Sequence, residues 1–154
     1  MNLLTETEIN ALNEALDDEY RAWATYDQVT ADFGEVPPFT NIRAAEARHI
    51  EALHALFARY ALPLPKNSWP GKVARYASLQ EACKAGVDAE IVNGEMYDRL
   101  LGETQRADIL TVLRNLQEAS QQRHLPAFQR CAQGFGGDRH GRGGGRHRGG
   151  RRRA

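Results

Sequence analysis

Two long runs in this chain place their large residues at alternating steps of three and four. The first stripe is Ile9, Leu12, Leu16, Glu19, Trp23, Tyr26, Thr30 and Phe33; the second is Phe39, Ile42, Glu46, His49, Leu53, Leu56 and Tyr60. Only an α-helix brings such positions onto one face, so the chain is committed to long amphipathic helices. Thr5-Glu6-Thr7-Glu8 fits a capping box that opens the first helix. Gly34, with Pro37 and Pro38 behind it, closes that helix near Phe33. The second helix is predicted from about Thr40 to Tyr60. Ser78-Leu79-Gln80-Glu81 repeats the capping box and opens a third, to about Leu101. Asp108 is placed to cap a fourth, running to about Ala132.

The connections choose the topology. Short links after the first and third helices predict two antiparallel hairpins. Residues 61–77 hold Pro63, Pro65, Pro70, Gly71 and Asn67 and read as a long connection, more than adjacent antiparallel helices need. Two hairpins joined by one long crossover is the ferritin-like form of the all-α four-helix bundle.

The stripes are interrupted where a core should be apolar. Glu19 lies between Leu16 and Trp23, and Glu46 and His49 lie between Ile42 and Leu53. A carboxylate facing a core is expensive unless it is paired or bound to a metal. The second half repeats the arrangement, with Glu90 on the third helix and Gln121-Gln122-Arg123-His124 on the fourth. One Glu on a helix and a Glu-x-x-His on its neighbour, used twice, builds a dinuclear carboxylate site; here the second Glu is Gln121. Carboxylate oxygen with imidazole nitrogen suits iron, manganese or zinc. Tyr26 and Tyr97 each follow a candidate Glu by seven residues, two helical turns along the same face. A phenol there could donate to a ligand carboxylate, although packing is the commoner role. His54 falls off the stripe and reads as a surface residue.

Asn41 to His49 spans eight residues and Asn115 to His124 nine. One extra residue in the fourth helix fits a π-bulge, which could swing Glu118 inward to replace the carboxylate missing at Gln121.

Composition bounds the remainder. The chain has 154 residues and no formal net charge, but residues 134–154 carry seven Arg and one Asp, so the preceding 133 are acidic by the same six charges. The boundary between a bundle over 1–133 and a disordered Arg/Gly-rich tail over 134–154 follows from that split. Cys83 and Cys131 do not suggest a disulfide framework and read as small packing residues in a reducing compartment. With no secretory signal and no apolar run of membrane-spanning length, the expectation is a cytoplasmic protein without a membrane partner.

Several stretches resemble a ferritin-like family catalogued as domain of unknown function 2202: Ala15 to Ala22, Phe39 to Asn41, Ala45 to Ile50, Ala89-Glu90, Tyr97 to Leu100, Asn115 to Gln117, and Ala119-Ser120 with His124 to Phe128. The resemblance spans roughly residues 8–130. It implies a metal site at Glu19, Glu46, His49, Glu90 and His124, and it supplies no established reaction. Relatives in the wider superfamily act on iron, dioxygen or peroxide. The expectation is therefore two iron ions, with manganese or zinc as alternatives, that react with dioxygen or peroxide. No rubredoxin-like cysteine pairs are present, so an electron donor would be a separate partner. A homodimer is compatible with the sequence. A different reading makes the bundle a module that associates weakly with nucleic acid through its tail; a third makes it a metal-free scaffold.

Overall fold

This computed structural model describes residues 3–141, with side chains through residue 134. The described residues form helices and no strand: α1 (Glu6–Phe33), α2 (Phe39–Arg59), α3 (Leu79–Leu100), α4 (Ala107–Ala119), a π-helical turn (Ser120–His124) and α5 (Leu125–Gly141). The Arg-rich tail expected to bind nucleic acid lies, from residue 142 onward, outside the described residues. The expected bundle boundary at 133 falls inside α5.

Local chemistry sets the ends. Thr5 accepts from the Glu8 amide while Glu8 accepts from the Thr5 amide, completing the predicted box at α1. Ser78 caps α3 by accepting from the Glu81 amide. At α4 the expectation fails. The N-cap is Arg106, and Asp108 sits inside the first turn, where it accepts from Arg59 and from the Tyr60 hydroxyl. A carboxylate in a first turn already suits the helix dipole, so Asp108 is free to tie α4 to the end of α2.

α1 packs with α2, and α3 with α5; the hairpins then meet as α1 against α3 and α2 against α4. The crossover between α2 and α3 is laid along α1. Tyr20 donates to the Pro65 carbonyl, Trp69 donates to Asp17, and Arg75 grips Asp32 with two nitrogens. Those anchors lead the chain from the middle of α1 to its far end, where α3 begins. His54, expected at the surface, is half-buried and shares a 2.8 Å hydrogen bond with the Tyr20 hydroxyl.

The fourth helix does not run through unbroken. The Leu125 amide donates to the Ser120 carbonyl, five residues back, which is the π-bulge expected from the nine-residue spacing. Pro126 follows at once. Its ring lacks an N–H and in a regular helix meets the carbonyl four residues back, so it sits where the wide turn has already opened the ladder.

α5 lies tight on α3 because Gly86 has no side chain; a Cβ there would lie 2.7 Å from the Phe128 ring. One turn away on each helix, Cys83 and Cys131 are joined as a disulfide, with Cα atoms 5.8 Å apart. This corrects the expectation of two separate packing thiols. A count of two cysteines 48 residues apart carries no sign that their helices meet, and the pattern no longer speaks for a reducing compartment. No helix among the described residues is long and apolar enough to cross a membrane.

The core is split in two. One apolar cluster gathers Leu12, Leu16, Leu53, Phe57, Leu100, Ile109 and Leu113; the other gathers Val29, Phe39, Ile42, Cys83 and Phe128. Between them, in the middle of the bundle, lie the buried Glu19, Glu46, Glu90 and His124.

Candidate metal centre

Glu19 from α1, Glu46 from α2, Glu90 from α3 and His124 from the π-turn are 2 to 4 % exposed. His49, one turn after Glu46, completes the set and is half-buried. The ligand-type atoms fall into two groups, Glu19–Glu46–His49 and Glu46–Glu90–His124, each within 4.8 Å internally, and either could hold a metal ion. Glu46 belongs to both. Its Oε1 lies 3.0 Å from His49 Nδ1 and its Oε2 lies 3.6 Å from His124 Nδ1. The two imidazoles stack at 5.5 Å with an 18° angle between planes.

The tyrosines bond across the bundle. Tyr97 of α3 donates to Glu19 of α1 (2.6 Å), and Tyr26 of α1 donates to Glu90 of α3 (2.9 Å). Burial, and then the neighbouring carboxylates, push both phenols well above their ordinary range, so they remain donors. Each tyrosine thus serves the carboxylate of the other hairpin, where packing alone had been the commoner expectation.

Without a cation the site is electrostatically frustrated. Burial, then the charges of Glu19 and Glu90, hold the Glu46 carboxyl well above its usual range. Burial opposes ionisation of Glu19 as well, but hydrogen bonds from Glu46, His49 and Tyr97 and the His49 charge outweigh it and keep its carboxyl low. His124 Nδ1 is buried and makes no hydrogen bond. It faces carboxylate oxygens of Glu46 and Glu90 at 3.6 and 3.7 Å, too far for a direct hydrogen bond. An unpartnered nitrogen among carboxylate oxygens is the donor set a hard or borderline divalent ion takes, so the residues present fit a metal.

The second half differs from the sequence expectation in three residues. The Gln121 amide nitrogen is engaged by the backbone and by its neighbour: Nε2 donates to the Glu90 backbone carbonyl (2.7 Å) and to Ser120 Oγ (2.8 Å), and the side chain rests where Gly94 leaves room. Glu118 is exposed on an outer groove beside Gln122 and Glu95, so the π-turn does not bring it inward. The turn brings in Ser120 instead, whose hydroxyl donates to Glu90 Oε1 at 2.6 Å. Substituting Q121E should therefore not restore a ligand. It would set a carboxylate against the Glu90 carbonyl, with an expected loss of about 1–3 kcal/mol of stability, measurable by denaturant unfolding. A gain in bound metal without that loss would contradict this placement.

Asp18 was missed by the sequence reading. It lines the same cavity as Glu46 and Glu90, and Asn93 Nδ2 donates to it at 2.5 Å. Burial, with the charges of Glu19 and Glu90, pushes its carboxyl up to about 6 against the pull of that hydrogen bond. The signal that could have found it is the run Asp17-Asp18-Glu19, since the residue before an inward-facing Glu borders the same face.

No protein-family model matches this chain, and no curated protein matches it. Among solved structures it is similar to the crystal structure of hypothetical protein MJ0754 from Methanococcus jannaschii DSM 2661. The similarity has a TM-score of 0.78 at 24 % identity and covers 88 % of this chain and 85 % of that one. That likeness extends to the fold alone, an all-helical bundle.

Proposed function

We propose that this chain is a ferritin-like metalloprotein that holds two iron or manganese ions and reacts with dioxygen or peroxide. The single observation that carries the reading is Glu46. One carboxylate contributes an oxygen to each of two carboxylate–histidine groups, as a dinuclear site requires. Glu19 and His49 would complete one position, and Glu90 and His124 the other. The sequence resemblance to family 2202 supports the same assignment. When bound, two such ions supply the electrons for oxidant chemistry.

The residues of the chain supply the surroundings. Tyr97 and Tyr26 orient Glu19 and Glu90, and Ser120 fixes the second oxygen of Glu90. Asp18 brings a fourth carboxylate close to the site, so the negative charge lost at Gln121 is recovered on α1. The two apolar clusters shield the site from water at both ends.

The reading is tested by metal analysis of the full chain after reconstitution in ferrous or manganous solution, with exposed sites stripped by a weak chelator. About two ions per chain is expected. One ion retained per chain would limit the site to a single position, and none retained would overturn the proposal in favour of a metal-free scaffold.

A further inference from the structure

Two features meet at the Glu90–His124 half of the centre. The first is an interrupted helix. At the π-turn the Leu125 amide reaches the Ser120 carbonyl, five residues back, and Pro126 has no N–H to donate. The ladder that would carry α4 stiffly into α5 is weakened across residues 120–126, and His124 lies inside that stretch. The aim of His124 therefore depends on what holds α5 in place.

The second feature is how α5 is held. Among its described side chains Phe128 is the one that is fully buried, against Tyr26 and Phe39. Ala127 and Ala132 are small and pack only in part. The Gln80 side chain donates to the Ala132 carbonyl at 3.1 Å. The covalent anchor is the bond from Cys131 to Cys83 of α3. Its position is informative. Cys83 precedes Glu90 by seven residues, and Cys131 follows His124 by seven. The bond thus stands two turns, about 10 Å, from each of these two side chains, on the same pair of elements. It ties together the two segments that must keep Glu90 and His124 at a fixed separation. The other group, Glu19–Glu46–His49, comes wholly from α1 and α2 and lies outside the cross-link.

We propose that the Cys83–Cys131 bond is a redox-sensitive clamp on the Glu90–His124 half of the centre. Formed, it holds α5 on α3 and fixes His124 opposite Glu90. Opened, it frees α5 and loosens that half alone. Cys83 is wholly buried and Cys131 half-buried, so a dithiol reductant meets Cys131 first. Its thiolate attacks the Cys131 sulfur, and Cys83 leaves as a thiolate and takes a proton. The second thiol of the reductant then displaces Cys131, so the dithiol ends as a disulfide and the protein as two thiols. The consequence for metal rests on the function proposed above; the release of α5 does not. Linkage makes the effect reciprocal. An ion held by Glu90 and His124 should make the clamp harder to reduce, by about 30 mV for each tenfold difference in affinity.

The full chain is reduced with dithiothreitol, freed of it without air, and compared with the oxidised chain by amide hydrogen exchange in the absence of metal. Amides of residues 120–132 should lose protection at least about tenfold more than those of α1 and α2. Ferrous or manganous titration of the same preparations should find the second ion at least about tenfold weaker in the reduced chain, and the first within about twofold. Cys83→Ala/Cys131→Ala should reproduce both results with no reductant present. Equal loss of protection in all helices, no loss, or equal weakening of both ions would each overturn the clamp. An oxidised chain that binds no ion sinks the metal reading instead, and the exchange comparison still decides the clamp.

Discussion

Glu46→Ala is expected to empty both proposed metal positions in one step. Every other candidate ligand serves one carboxylate–histidine group, whereas Glu46 serves two. Removing a group that only orients a ligand typically lowers metal affinity 10- to 100-fold; removing this shared ligand should exceed about 100-fold. Ferrous oxidation should disappear with it. Glu19→Ala and Glu90→Ala should each retain about one ion. The empty E46A protein should still fold, because burial and its acidic neighbours make the Glu46 carboxyl a liability in the absence of a cation. Metal analysis of the three variants decides the matter, and an E46A protein that still carries two ions removes Glu46 from the centre.

Asp18→Asn should act with opposite signs in the empty and the loaded protein. The Asp18 carboxyl is raised from 3.8 to about 6. Its contribution to stability is therefore undiminished below about pH 4 and is lost as pH rises through 6. Above that range an ionised Asp18 costs on the order of 3 kcal/mol. In metal-free protein, Asn should raise stability by up to that amount at pH 7 and change little at pH 4. In the presence of divalent metal the same substitution removes a nearby negative charge and should weaken binding. Urea unfolding at the two pH values, with and without metal, reads both effects. A D18N protein that is no more stable than the parent at pH 7 without metal would show that Asp18 does not share the charge burden of the centre. Burial and its acidic neighbours favour the protonated form of Glu46, and metal competes with that proton, so affinity should rise with pH.

Glu19, Glu46 and His49 were legible in the sequence because each sits in the middle of an otherwise apolar stripe, whereas Glu90 and His124 were legible as the repeat of that arrangement in the second half. Glu19, Glu46 and His49 interrupt Leu, Ile and Trp at helical spacing, and a polar group in such a position must have a partner. The π-turn was legible as one surplus residue between Asn115 and His124, but which side chain it would turn inward was not. A wide turn shifts the register by a fraction of a turn. That shift favoured Ser120, placed Gln121 on a backbone carbonyl and left Glu118 in solvent. Asp18 escaped notice because a stripe describes one line along a helix, and the cavity between α1 and α3 gives α1 a second inward face that periodicity does not register. The Cys83–Cys131 bond escaped for a related reason, since the close approach depends on Gly86, whose meaning emerges only when Phe128 lies over it.

The crossed tyrosine bonds bear on how the protein comes together. Each hairpin holds a carboxylate whose orientation is set by a phenol from the other: Tyr97 for Glu19, Tyr26 for Glu90. A lone hairpin therefore carries ligands it cannot aim. The first hairpin already gathers Glu19, Glu46 and His49, whereas the second holds only Glu90 and His124 and lacks Glu46 until the two dock. On the proposed reading, the two positions would therefore fill in order, the second only in a bundle already closed.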